Sequence, residues 1–104
     1  MRPQQEVLNS AVVKIKQQFD ISVNCNDADP KKMLNMMREE VRRIVSHCLA
    51  HDINQLLRLL YRVDVNEEDV KLALTKAEPD TELARLIVER ELEKAKTRIS
   101  YRNK

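Results

Sequence analysis

Residues 30–50 read PKKMLNMMREEVRRIVSHCLA, and the spacing of their apolar letters decides the fold class. Leu34, Met37, Val41, Ile44, Val45 and Cys48 recur every three or four residues, with Met33 alongside. On a helix of about 3.6 residues per turn they share one face. Pro30 suits the first helical position, where its missing N–H leaves nothing unsatisfied. Glu39 stands three and four residues before Arg42 and Arg43, a spacing that supports ion pairing on the exposed side. The pattern predicts a long amphipathic helix over about 30–50.

The same period extends in both directions. Upstream, Leu8, Val12, Ile15 and Phe19, widened by Ala11, predict a helix from about Gln4 to Gln18. Between the two, Asp20 to Asp29 carries the turn formers Asn24, Asn26, Asp27 and Asp29. Ile21 and Val23 alternate with polar residues too briefly for a strand, so the segment reads as a loop that pins a few apolar side chains. Downstream, the second helix either continues through His51 and Asp52 or restarts there, Asp52 and Gln55 forming an acceptable capping pair. Ile53, Leu56, Leu57, Leu59 and Leu60 then make a short helix that is apolar around most of its circumference. Such a helix is expected at the centre of the core or as a dimer seam.

Beyond Val63-Asp64-Val65, Asn66 is a natural N-cap, and Glu67, Glu68 and Asp69 occupy the positive end of the next helix dipole. Val65 and Val70 have the spacing of a hydrophobic staple. That helix should run to about Lys76 and stop at Glu78-Pro79, because proline disfavours a helical residue before it. A last helix begins near Asp80 or Thr81, with Ala84, Val88, Leu92, Ala95 and Ile99 along one face and Leu83 and Ile87 beside them. The expected fold is all-α: a compact bundle of four or five helices with long second and last members. Residues 1–104 form a single helical domain, and residues 94–104 its basic helix end or tail.

Composition narrows the function classes. A chain of 104 residues fits one domain. It has no glycine, and so lacks the residue on which phosphate-binding loops and tight hairpins depend. A nucleotide-binding α/β protein and an all-β fold are both hard to build from it. The net charge of +2 is too balanced to imply an anionic partner for the whole chain. Cys25 and Cys48 form no CxxC and no disulfide framework, and two reduced thiols suit the cytoplasm. Residues 1–6, MRPQQE, lack the apolar run of a signal peptide, and no stretch approaches a membrane span.

Few residues invite chemistry. His47 and His51, four apart, share a helical face and are candidate ligands for a transition metal. The segment lacks the glutamate base of the HExxH motif, Cys48 points about 100° away from His47, and a third ligand has to come from elsewhere, with Asp52 and Cys25 as candidates. Two histidines near a helix end is the competing reading, and neither a metal nor another cofactor is expected. The acidic run 67–69 is accounted for by its place in a first helical turn, and Asp64 is expected to pair locally with Arg62. Ser46 precedes His47, but adjacent helical side chains diverge. Ser10, Ser22 and Ser100 lie in no nucleophile-elbow context. Met33, Met36 and Met37 fit gap-filling core better than a peptide groove. The most distinctive charge feature is the C-terminal end: Lys94, Lys96, Arg98, Arg102 and Lys104 are followed or separated by no acidic residue. Such a tail can contact phosphates, although cations at a helix C-terminus are also favoured by the dipole. Tyr101 alone offers a stacking surface nearby, where single-strand binders use several.

Residues 56–68, LLRLLYRVDVNEE, and residues 83–91, LARLIVERE, together resemble a group of short bacterial proteins. That group combines a leucine-rich helix ending in an "LLYR-apolar-D" turn with a final "LIxER" helix. The resemblance covers the second half of the chain and implies an all-helical fold, with no activity attached. Residues 64–74, DVNEEDVKLAL, also resemble the end of a histone fold, where a long central helix passes through a short loop into a capped helix. Here the loop carries Asp64 instead of the basic residues and glycines that histones set against phosphates. The leading expectation is a non-enzymatic interaction or structural protein working through a homo-oligomer or another protein, with Ile53, Leu56, Leu57 and Leu60 as core or interface. The second is a nucleic-acid-associated protein using the basic C-terminal helix.

Overall fold

The computed structural model describes residues 3–19 and 29–102. These form five helices and no strand: α1 (Pro3–Phe19), α2 (Pro30–His51), α3 (Ile53–Val63), α4 (Glu67–Leu74) and α5 (Pro79–Arg102). The all-α bundle with long second and last helices is what the periodicity predicts. The expected loop from Asp20 lies outside the described residues, apart from Asp29 at its end. None of the five helices is long and apolar enough to cross a membrane.

Local chemistry sets the helix ends. The Asp29 carboxylate accepts from the Lys31 amide at 3.0 Å and caps α2, with Pro30 at its first position. Asp52 resolves the choice left open at the end of α2. Its side chain accepts from the Gln55 amide at 3.1 Å, so the helix stops and a new one starts instead of running through. Asn66 caps α4 through the Glu68 amide at 2.8 Å. α4 stops at Leu74 rather than Lys76, because the Thr75 hydroxyl bonds back to the Leu72 carbonyl at 2.6 Å. Such back-bonding competes with continuing the ladder.

One hydrophobic cluster joins all five helices. α5 is its axis, in contact with each of the other four, and it buries Leu83, Ala84, Ile87, Val88, Glu91, Ala95 and Ile99. Met33, Met37, Val41, Val45 and Cys48 of α2 and Leu8, Val12, Ile15 and Phe19 of α1 close over it. Full burial of each large aliphatic chain contributes about 1.5–3 kcal/mol. α3 therefore does not hold the central place its leucines suggest. Leu56, Leu59, Leu60 and Val63 are buried, whereas Ile53 and Leu57 remain 49% and 55% exposed. The helix covers one side of the bundle and keeps a second apolar face outside.

Candidate interaction face on the third helix

At about 100° per residue, the circumference of α3 divides into three arcs. Leu56, Leu59, Leu60 and Val63 face the bundle. Next to them stand Ile53, Leu57 and Tyr61, spaced by four, with Tyr61 89% exposed. Asn54, Arg58 and Arg62 complete an exposed polar arc. Val13, Met36, Leu72 and Leu74 are exposed too, but scattered apolar side chains are ordinary on a protein surface. Among the described residues, Ile53, Leu57 and Tyr61 are the run of exposed large apolar side chains that lines up along a helix.

The C-terminal end of α3 is held by α5. Asp64 adopts a left-handed backbone (φ 68°, ψ 51°), the conformation that glycine most often supplies after a helix. This glycine-free chain uses aspartate, which tolerates that region better than most residues. The amides of Asp64 and Val65 close back on the Leu60 carbonyl at 3.0 and 3.2 Å. Arg90 donates to the Asp64 carbonyl at 3.0 Å and to its carboxylate at 3.2 Å. Lys94 donates to the Val63 carbonyl at 2.8 Å. Helix-end carbonyls without intrahelical partners are thus satisfied by cations from a neighbouring helix. The expected Arg62–Asp64 pair is replaced by Arg90–Asp64, which joins the "LLYR-x-D" turn to the "LIxER" helix. Nothing local signals that contact; the two segments stand 26 residues apart.

Lys94 also lies 2.6 Å from Glu91 Oε1. Glu91 is fully buried, and neither of its oxygens has a well-formed hydrogen bond. The ion pair with Lys94 is what compensates the burial of this charge.

The rest of the basic C-terminal set is largely engaged within the molecule. Arg98 donates to the Ser10 hydroxyl at 2.9 Å and Arg102 pairs with Glu6, both through the packing of α1 along α5. Lys96 is exposed, and Lys104 lies outside the described residues. The expectation that no acid answers these cations fails for Lys94 and Arg102, because their partners precede the tail in the chain and only folding brings Glu6 to it.

His47 and His51 share a face, as their spacing predicts, with ring centroids 4.9 Å apart and the planes tilted by 44°, and both are exposed. Among the described residues no three His, Cys, Asp or Glu side chains gather as a metal-holding group. Asp52 is occupied as the α3 cap, Cys48 points into the core, and Cys25 lies outside the described residues. Burial pushes the Cys48 thiol up from its ordinary value, helped by the Asp52 carboxylate. It is thereby kept protonated and unreactive. Met33 and Met37 are core, and Met36 is 42% exposed.

Ion pairs lace the remaining surface. Arg42 bridges Glu39 and, at 3.0 Å, Asp80 at the start of α5. Its hydrogen bonds to those carboxylates raise its pKa, and hold Glu39 below the usual carboxylate range. Arg43 pairs with Glu40, and Arg85 with Glu82 and Glu89, whose hydrogen bonds raise its pKa.

Among the described residues the fold is all-α, with an exposed apolar stripe along α3. No family model, no curated protein sequence and no solved structure matches the chain.

Proposed function

We propose that this is a non-enzymatic interaction protein whose contact face is the outer stripe of α3. The observation that carries the reading is the alignment of Ile53, Leu57 and Tyr61 on a helix whose other apolar side chains are already buried. Apolar centres ringed by polar residues are the anatomy of protein contacts, and an exposed tyrosine beside aliphatic chains is a frequent anchor in them. Asn54 and Arg58 supply the polar border here. The clamp from Arg90 and Lys94 makes α3 a rigid platform, which lowers the ordering cost of binding. Engagement of Lys94, Arg98 and Arg102 within the molecule favours this reading over the phosphate-binding one.

The test places a photoreactive phenylalanine analogue at position 57 in the native host, with position 96 as the control surface. A discrete protein adduct from position 57, absent from position 96 and lost on Tyr61→Ser, is the expected result. No adduct from position 57 overturns the reading.

A further inference from the structure

We infer that α4 is a flap: it lifts off α5 as a unit while the other four helices stay folded, and Arg90 is the pin that holds it shut. The first ground is burial. Among the eight residues of α4, Ala73 alone is buried and Val70 is half-buried, while Leu72 and Leu74 are 58% and 49% exposed. The neighbouring α3, by contrast, buries Leu56, Leu59, Leu60 and Val63. An isolated helix needs about 12–15 residues to persist in water, so α4 keeps its shape only while docked. Its docking rests on Ala73 in the core and on Val65 and Val70 packed at the core's edge.

The polar contacts of α4 add nothing to that hold. Among the described residues, the hydrogen bonds and ion pairs of residues 66–76 all close within the segment. Asn66 caps Glu68, Lys71 pairs with Glu68, and the amides of Thr75 and Lys76 return to the Leu72 and Ala73 carbonyls. The seam beneath is open as well. A groove of about 440 Å³ separates the first turn of α4 from α5, with Asp69 on one wall and Leu86, Glu89 and Glu93 on the other.

Arg90 is what crosses this seam. It is the one cation among the described residues lining the groove, which it shares with the carboxylates of Asp64, Asp69, Glu89 and Glu93. Its guanidinium reaches from α5 to the carbonyl and carboxylate of Asp64 and pairs with Glu93 at 3.3 Å. It thereby fixes the turn from which α4 departs and offsets like charges that otherwise face one another. Segments with few buried apolar contacts open at free energies well below that of global unfolding. When α4 opens, Ala73 comes into water, while the four buried side chains of α3 keep that helix on the bundle.

Thiol trapping tests this in a Cys25→Ser background, where Cys48, 1% exposed, reports on α2. Ala73→Cys and Ala95→Cys replace two buried alanines, 3% and 0% exposed, one on the flap and one on α5. The thiol at position 73 should react with a labelling reagent about 100-fold faster than the one at position 95, at a rate that low urea barely changes. Position 95 and Cys48 should react only as the whole chain unfolds, with a steep urea dependence. Arg90→Gln should speed labelling at position 73 by about tenfold and leave Cys48 nearly unchanged. Hydrogen exchange of the unsubstituted chain repeats the comparison, the amides of Ala73 and Leu74 exchanging faster than those of Ile87 and Val88. Equal rates and equal urea slopes at positions 73 and 95, with equal amide protection, mean that α4 leaves only with the whole fold and overturn the inference. Arg90→Gln that speeds position 73 and Cys48 by the same factor, or changes neither, also overturns it, because Arg90 is then not the pin.

Discussion

α3 and α5 reverse the usual relation between a helix's composition and its place in a fold. Seven of the eleven residues of α3 are aliphatic or aromatic, yet it lies at the side of the bundle with a stripe outside. Eleven of the twenty-four residues of α5 are charged, yet it is the helix that every other one touches. The reason is geometric. α5 buries a broad band of apolar side chains under α1 and α2, with Glu91 enclosed among them, and carries Glu82, Arg85, Glu89, Glu93 and Lys96 on the other side. α3 carries apolar side chains over a wider arc than the bundle can cover, because α5 and α2 reach it from one side. Apolar content reports how much surface a helix must hide, while the number of neighbours reports how much this molecule hides.

The sharpest way to break the comparison is to place the same charge on both helices. Ile87→Asp buries an unpaired carboxylate where the wild-type residue is fully enclosed, and should cost about 4 kcal/mol or more, enough to unfold the chain. Leu57→Asp should leave the circular dichroism spectrum and the melting temperature close to wild type, because Leu57 is already 55% exposed. Equal destabilisation by the two substitutions would show that α3 is as enclosed as α5. Leu57 and Leu60, alike as letters of one apolar helix, should split, with Leu60→Asp behaving as Ile87→Asp does because Leu60 is 7% exposed.

A smaller effect sharpens the comparison at the junction of the two helices. Lys94→Ala removes the cation beside the buried Glu91 and uncaps the Val63 carbonyl. Breaking a buried pair in this way costs about 3–5 kcal/mol; with Lys94 itself partly exposed, the lower end is expected. Replacing both partners, as in Glu91→Leu with Lys94→Met, should recover most of the loss, since apolar side chains of similar volume need no compensation. Urea denaturation of the two variants checks it: a double variant as unstable as the single one means that Lys94 acts through the Val63 carbonyl alone.

The smallest effect lies on the outer surface of α2. The Arg42 guanidinium holds the Glu39 carboxyl below its ordinary range, so the pair stabilises the folded state above the unfolded carboxyl's pKa. That contribution is lost as pH falls through the lower, folded value. Glu39→Gln should therefore depress the melting temperature slightly at neutral pH. The difference should vanish once acid has protonated the wild-type residue, and shrink in high salt because the pair is exposed. A difference that grows towards low pH would reverse the sign.

Much of this molecule can be read from the chain. The helices follow from the 3.6-residue period, and their boundaries from Asp29, Asp52 and Asn66, because a cap acts within three residues and needs no tertiary partner. The placing of His47 and His51 on one face follows from the same period. Whether an apolar residue faces inward or outward within an all-apolar helix does not, as Leu57 and Leu60 show: the pattern is saturated, and only the neighbours choose between them. Nor does the pairing of Asp64 with Arg90, of Lys94 with Val63 and Glu91, or of Arg102 with Glu6. Local periodicity and capping specify four or five helices, and the described residues form five. Which of them becomes the axis, and which apolar face stays in water, depends on contacts between segments far apart in the chain, where no short-range rule reaches.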